Sequence, residues 1–311
     1  MVNSEVISGV GSYLLYGVES AYNTAVTANL HLGQVTSFKP SINNNQVANR
    51  GFKGTTTGGR NVIKYTYGLL DVSLTADFAV TRWNFMEAVL GTVSGSGPYV
   101  YTEADLPPSI TLGSNIDNDT TDQNMTYSGT IIDSCSIKAS VGEVVTCSLT
   151  MKSALPVLNT TLDTAVALPD EEVYNFSGAT IELPSGAAIS NIIDSVDVSI
   201  ANNFELIGGL GSRLMQKAVA KERDYSVKVS LKYLDNDLLT AALGATTPTA
   251  QGTPTEYATL VLTFASGTKS LTMTFSEVPL SEFAQMQDLN SVIGEDITLN
   301  PKSLSCSDDR S

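Results

Sequence analysis

The residues able to do chemistry are few, and their spacing does not suit it. One histidine, His31 in NLHLG, stands among apolar neighbours. A lone imidazole with no serine, cysteine or aspartate motif around it is structural far more often than catalytic. Cys135, Cys147 and Cys306 make no metal-ligand spacing. Cys135 and Cys147 flank a turn signal at Val141-Gly142-Glu143, so they can face each other across a hairpin. Two small buried thiols are the favoured reading there, with a cross-strand disulfide as the alternative. The clusters Asp117-Asn118-Asp119 and Asp170-Glu171-Glu172 lack the alternating spacing of a preformed calcium loop. HExxH, GxSxG and the Walker-type glycine loop do not occur, and the glycines of VGSYLLYG and GGLGSR lack a strand-to-helix setting. The expectation is a protein that is not an enzyme and takes no cofactor and no metal.

The elements that would position side chains point instead to a repeated β architecture. In DVSLTADFAV the residues Val72, Leu74, Ala76 and Phe78 face one way, and Asp71, Ser73, Thr75 and Asp77 the other. In DYSVKVSLKY, Tyr225, Val227, Val229, Leu231 and Tyr233 oppose Asp224, Ser226, Lys228, Ser230 and Lys232. Both strands run into a short helical segment that stops at Leu-Gly, with Thr81 and Asp235 placed as N-caps and Gly91 and Gly244 beyond the last turn. Trp83, Met86, Val89 and Leu90 in one segment, and Leu238, Leu239, Ala242 and Leu243 in the other, should plug one end of a sheet core. Upstream, SINNN at Ser41 matches SIANN at Ser199; downstream, MTYSG at Met125 matches MTFSE at Met273, and SVGEVVT at Ser140 matches SVIGEDIT at Ser291. The offsets are 158, 153, 148 and about 152, in conserved order.

A period of this length is a whole domain rather than a solenoid unit. The chain therefore reads as two tandem β-sandwich or partly open barrel domains, each with one short helix and a long hairpin loop. The first covers residues 1–160, a Pro-containing acidic linker 161–173, and the second 174–311.

Lys and Arg number 17 against 32 Asp and Glu, a net −15, so sequence-independent phosphate binding is not expected. The first 160 residues carry 8 basic and 12 acidic side chains, the rest 9 and 20. Against that background the hairpin loops are basic, with Arg50, Lys53 and Arg60 in one and Arg213 and Lys217 in the other. Such loops suit an arm meeting the acidic body of a neighbour. The opening MVNSEVISGVGSYLLYG lacks a signal peptide's basic region and sustained apolar core, and no stretch approaches the roughly 18 apolar residues of a membrane span.

GSYLLYGVESAYNTAV (Gly11–Val26) resembles the GxxxYxxYGxExxYGT-like start of tail tube proteins from long-tailed, siphovirus-like phages and related archaeal viruses. Asn23 stands where glycine is common in that pattern. PYVYTEADLPPSITL (Pro98–Leu112) resembles the segment that follows the family's helix. The resemblance covers the first half better than the second, and many relatives have a single tube domain. It implies a virion protein of the tail, assembled in the host cytoplasm, that stacks as rings into a tube. Six tube domains would line each ring, and DNA would pass through the lumen without specific binding. Tail tip and tail terminator proteins would be its partners, with no membrane involved. A chain holding two tube domains would complete a ring as a homotrimer of pseudo-sixfold symmetry. Asp71, Ser73, Thr75, Asp77, Asp197 and Ser199 are then candidates to face the lumen, the alternative being that this face is the outer wall. Arg50, Lys53, Arg60, Arg213 and Lys217 are candidates for the junction between rings. A cell-surface β-sandwich, such as an S-layer or adhesin module, is the runner-up. A carbohydrate-binding module is poorly supported by one tryptophan.

Overall fold

A computed structural model describes residues 12–51, 61–116, 122–159, 162, 171–184, 186–187, 189, 192–249, 252–289 and 292–309. The chain is mainly antiparallel β. Its first half runs β1 (Leu14–Val18), β2 (Leu30–His31), β3 (Gln34–Asn43), β4 (Gln46–Asn49), β5 (Lys64–Tyr67), β6 (Asp71–Ala79), α1 (Met86–Leu90), β7 (Gly91–Ser94), β8 (Tyr99–Glu103), β9 (Ile110–Ile116), β10 (Gln123–Ser140), β11 (Thr146–Ser153) and β12 (Leu155–Asn159). The second half runs β13 (Ala179–Glu182), β14 (Ile193–Ala201), β15 (Glu205–Gly208), β16 (Met215–Val219), β17 (Asp224–Lys232), α2 (Asp237–Leu243), β18 (Glu256–Ser266), β19 (Lys269–Met286), β20 (Gly294–Leu299) and β21 (Ser303–Asp309).

A central sheet crosses the molecule in the order β3-β6-β11-β10-β14-β17-β20-β19. Its left quartet, β3-β6-β11-β10, and its right quartet, β14-β17-β20-β19, have the same order of elements. The bulges also fall at matching places. β3 slips between Val35 and Ser37 and β14 between Ile193 and Ser195, an offset of 158. β10 slips between Ile132 and Ser134 and β19 between Leu280 and Glu282, an offset of 148. These are the offsets read from the sequence matches.

The long strands β10 and β19 each serve two sheets. The first part of β10 pairs with β9 and β12, with β1 and β2 beyond, while its second part enters the central sheet. The first part of β19 pairs with β18 and β21, with β13 and the β7–β8 hairpin at the margins. Each strand must turn where it changes sheet. Gly129 (φ 60°) and Glu277 (φ 48°) occupy these corners, and a Cβ at Gly129 would come within 2.9 Å of the Ala154 side chain. Glu277 accepts strain that glycine avoids.

The alternation in β6 and β17 gives the expected faces. Val72, Leu74, Ala76, Phe78, Tyr225, Val227, Val229 and Leu231 are all buried in one core that spans both halves. Cys135 and Cys147 lie diagonally across the β10–β11 ladder with sulfurs 3.7 Å apart, and both are free thiols. Burial pushes the Cys147 thiol well above its ordinary value. Gly91 (φ 125°) and Gly244 (φ 74°) directly follow the helices, as expected.

Three local expectations need correction. Thr81 is not an N-cap: α1 starts at Met86 after a turn in which the Met86 amide bonds the Trp83 carbonyl, because Trp83 and Phe85 are first turned into the core. Asp235 caps one step early, its Oδ1 accepting the Asp237 amide at 3.0 Å, and Asn236 is the boundary residue. The match of SVGE with SVIGE is also out of register. Gly142-Glu143 forms the β10–β11 turn, whereas Gly294-Glu295 begins β20, opposite Met286 and Gln285.

Candidate functional site

The six polar residues singled out in β6 and β14 share the face of the central sheet opposite the core. Register puts Asp77, Ser148, Ser136 and Ser199 in one row across four strands. Ser148 donates to Asp77 at 2.6 Å and Ser136 to Asp197 at 3.2 Å. A second row holds Thr75, Thr150, Ser134 and Ala201, ending at Asp224. A third reads Lys138, Asp197, Lys228, Thr298, Glu282. Asp71 and Ser73 continue the face toward Asn43 and Ser41. The surface is hydroxyl-rich with alternating charge, offering phosphate neither a basic stripe nor a uniform acidic wall.

The two hairpins have different surroundings. β15–β16 reaches back to the base of β4–β5, where Arg213 donates from Nε to the Gly68 carbonyl at 3.0 Å and from Nη2 to Asn44 Oδ1 at 2.8 Å. Its guanidinium also lies 5.3 Å from the centre of the Tyr67 ring. The Leu70 amide bonds the Arg213 carbonyl at 2.7 Å. Lys217 is exposed on β16, and Arg50 is exposed after β4. Lys53 and Arg60 lie outside the described residues, as do Asp117-Asn118-Asp119 and most of the 161–173 linker.

The seam between the halves was the least legible part of the sequence. β10 and β14 pair from Ser134↔Ala201 to Ser140↔Ser195, burying Cys135, Ile137 and Ala139 against Ile200, Val198 and Val196. The buried amide of Asn202 donates to the Val89 and Ile132 carbonyls, both at 3.0 Å, and its oxygen accepts Arg223 Nε at 2.7 Å. Glu103 receives the Tyr225 hydroxyl at 2.7 Å and the Leu304 amide at 2.6 Å. Burial, then the bond to Glu103, pushes the Tyr225 phenol up. The Trp83 ring stacks on Phe264 at 5.6 Å. The β7–β8 hairpin of the first half pairs with β21 of the second. Asn202 was marked in the sequence through its match with Asn44, and Trp83, Cys135 and Tyr225 were legible as core residues, but none of them as a residue of the seam.

Beside the seam, Thr81, Arg82, Trp83, Asn84, Glu171, Tyr174, Lys269 and Asp308 enclose a cavity of about 230 Å³. Arg82 grips Glu171 with Nε 2.8 Å from each oxygen, and Lys269 approaches the same carboxylate at 3.3 Å. The bond from Arg82 holds Glu171 below the usual carboxylate range. Burial, reinforced by Asp309, pushes Asp308 up to about 7. Among the described residues no group of three His, Cys, Asp or Glu side chains could hold a metal ion, and no helix is long and apolar enough to cross a membrane.

The geometry is that of a building block: a polar sheet face, an extended pairing edge on each side and two projecting hairpins. Residues 9–299 match the family model described as phage tail tube protein. No curated protein matches the chain. The match spans nearly the whole sequence, so the chain belongs to the phage tail tube protein family.

Proposed function

We propose that this structural tail protein assembles as stacked homotrimeric rings, each chain contributing two tube domains that arose by duplication, with boundaries at 1–160 and 174–311. The stack is the conduit for DNA ejection. One observation carries the reading. The β10–β14 ladder joins the left quartet of the central sheet to the right one, and each quartet ends as it would need to for the joint to be used again. Among the described residues, β3 pairs only with β6, and the last part of β19 only with β20. Such open edges favour pairing with another chain. A β19-to-β3 ladder between chains follows from the internal one by adding 148 to β10 and subtracting 158 from β14. It sets Phe283 against Ile42, Ala284 against Ser41 and Glu282 against Asn43. Three chains supply six quartets, and a heterologous joint that closes gives a ring without edges.

In that ring the face bearing Asp71, Ser73, Thr75, Asp77, Asp197 and Ser199 lines the bore. Hydroxyls and alternating charges let phosphate slide without the counterion release that fixes a nucleic acid in place. The hairpins, with Arg50, Lys53, Arg60, Arg213 and Lys217, meet the next ring, and Arg213 also braces the first half of its own chain. Tail tip and terminator proteins cap the stack. Electron microscopy of the purified protein tests the reading: tubes of uniform bore support it, whereas flat lattices overturn it. Reversing the charges of Arg50 and Lys217 together should leave a folded protein that forms single rings but no tubes. Tubes of unchanged length would remove the hairpins from the ring-to-ring contact.

A further inference from the structure

We infer that α2 of one chain plugs an apolar socket in the first half of the next chain, and that the Asn44 side chain of that next chain clasps it. This rests on the trimeric-ring reading and specifies a contact which that reading leaves open.

The socket is a cavity of about 520 Å³ beside β3, walled by Phe38, Pro40, Ile116, Met125, Tyr127 and Leu158. Leu158 is 76% exposed and Ile116 47%. Register offsets carry these positions to Val196, Val198, Phe264, Met273, Phe275 and Cys306, every one of them buried. They are covered by the first half: Trp83 stacks on Phe264, Tyr101 pairs with Cys306, and both belong to the same core as Phe85, Met86, Val89 and Leu90. The first half's helix therefore fills the second half's socket, while among the described residues nothing fills the first half's own socket.

The matching plug is only partly covered: Leu238, Ala241 and Ala242 pack against the core of their own chain, but no residue of α2 is fully buried. In α1 the residues Met86, Ala88, Val89 and Leu90 are buried, whereas α2 buries none. Leu234 and Leu243, the counterparts of Thr81 and Leu90, are exposed. Plug and wall both change: Trp83 and Phe85 become the smaller Asn236 and Leu238, while on the wall Val196 becomes the larger Phe38, Cys306 the larger Leu158 and Phe264 the smaller Ile116. A close-packed interface requires total volume to be kept.

Asn44 gives the contact its polar specificity. Its counterpart Asn202 turns its oxygen to Arg223 and its amide nitrogen to the Val89 carbonyl of α1. Asn44 likewise turns its oxygen to an arginine, Arg213, and is exposed. Its amide nitrogen is thereby aimed, by the same logic, at the carbonyl equivalent to that of Val89, which is Ala242 in the neighbour's α2.

The test uses full-length chains carrying two cysteine pairs, each treated with a short bismaleimide before and after assembly. Ile116→Cys with Asn236→Cys reports the socket, since these are the counterparts of Phe264 and Trp83. Ser41→Cys with Ala284→Cys reports the ladder. Closed covalent trimers from both pairs, only after assembly, support the proposal. Trimers from the ladder pair alone overturn the socket and leave the ring reading intact. Linkage from neither, or a ring of six chains, overturns both. Asn44→Asp keeps the acceptor for Arg213 but removes the donor. The monomer should melt unchanged while assembly requires roughly tenfold more protein, the worth of about one buried hydrogen bond. Assembly at the normal concentration would remove Asn44 from the contact.

Discussion

α1 and α2 occupy corresponding places, one after β6 and one after β17, and end at glycines of positive φ, yet one is buried and the other is not. The same contrast separates Ile200, fully buried in the β10–β14 joint, from Ile42, 44% exposed on the edge of β3. Both differences have one cause. The second-half side of the internal seam is covered by the first half, and among the described residues nothing in a single chain covers the equivalent surface of the first half. On the proposed ring reading, the molecule contains one completed lateral joint and the two ends of another. A chain that leaves apolar edges of this kind open is a subunit rather than a finished globule.

The sharpest way to break the comparison is to place one substitution on both sides of it. Ile200→Asp buries a carboxylate in the seam and should destabilise the monomer by roughly 3 kcal/mol or more. Ile42→Asp should shift monomer stability by less than about 0.5 kcal/mol, since an exposed site tolerates charge. It should nevertheless abolish assembly, because the joint would bury that carboxylate against Phe283. Thermal melts combined with sedimentation read both outcomes. Equal effects of the two on folding would dissolve the distinction between made and unmade joint.

A smaller effect comes from Asp308, which sits only on the completed side. Its carboxyl is raised to about 7, mainly by burial and then by Asp309, and it lies 3.3 Å from the Tyr101 hydroxyl. A raised carboxyl favours the protonated folded form. Its contribution is complete below about pH 4 and is lost as pH rises through about 7. Between pH 5 and 8 the protein should lose roughly 2–3 kcal/mol that Asp308→Asn does not lose. Parallel pH profiles of melting for the two proteins would remove Asp308 as the cause.

The smallest effect is at the brace between hairpins. Arg213→Ala removes two surface hydrogen bonds and the contact with Tyr67, and should cost about 1 kcal/mol. Amide exchange at Gly68 and Leu70 should quicken while the β10–β14 amides keep their protection. Uniform loss of protection would mean that Arg213 supports the seam as well.

Much of this was legible in the sequence where side chains alternate against a common core. DVSLTADFAV and DYSVKVSLKY gave the right faces, and the offsets 158 and 148 locate the bulges of β3 and β14 and of β10 and β19. MTYSG and MTFSE matched because both mark the corner where a long strand changes sheet, although glycine holds one and Glu277 the other. The SVGE match misled because a Gly-Glu pair suits a turn and a strand start equally well. The caps were misplaced because the burial of Trp83 and Phe85 overrides the local preference for a helix starting at Thr81. The β7–β8 hairpin's crossing to β21 left no signal, since the described residues of 244–255 in the second half form no corresponding hairpin. That Asp71, Ser73, Thr75, Asp77, Asp197 and Ser199 share one polar face was readable from the alternation. The completed seam, built by Asn202, Glu103 and Arg223 from distant segments, was not.

The trimeric ring is tested most directly by the native mass of a single ring released from the tube. Three copies of this chain is the expected result, with two quartets of the central sheet contributed by each. A ring of six copies would mean that the β10–β14 seam is not a preformed version of the joint between chains, and the account built on it would not stand.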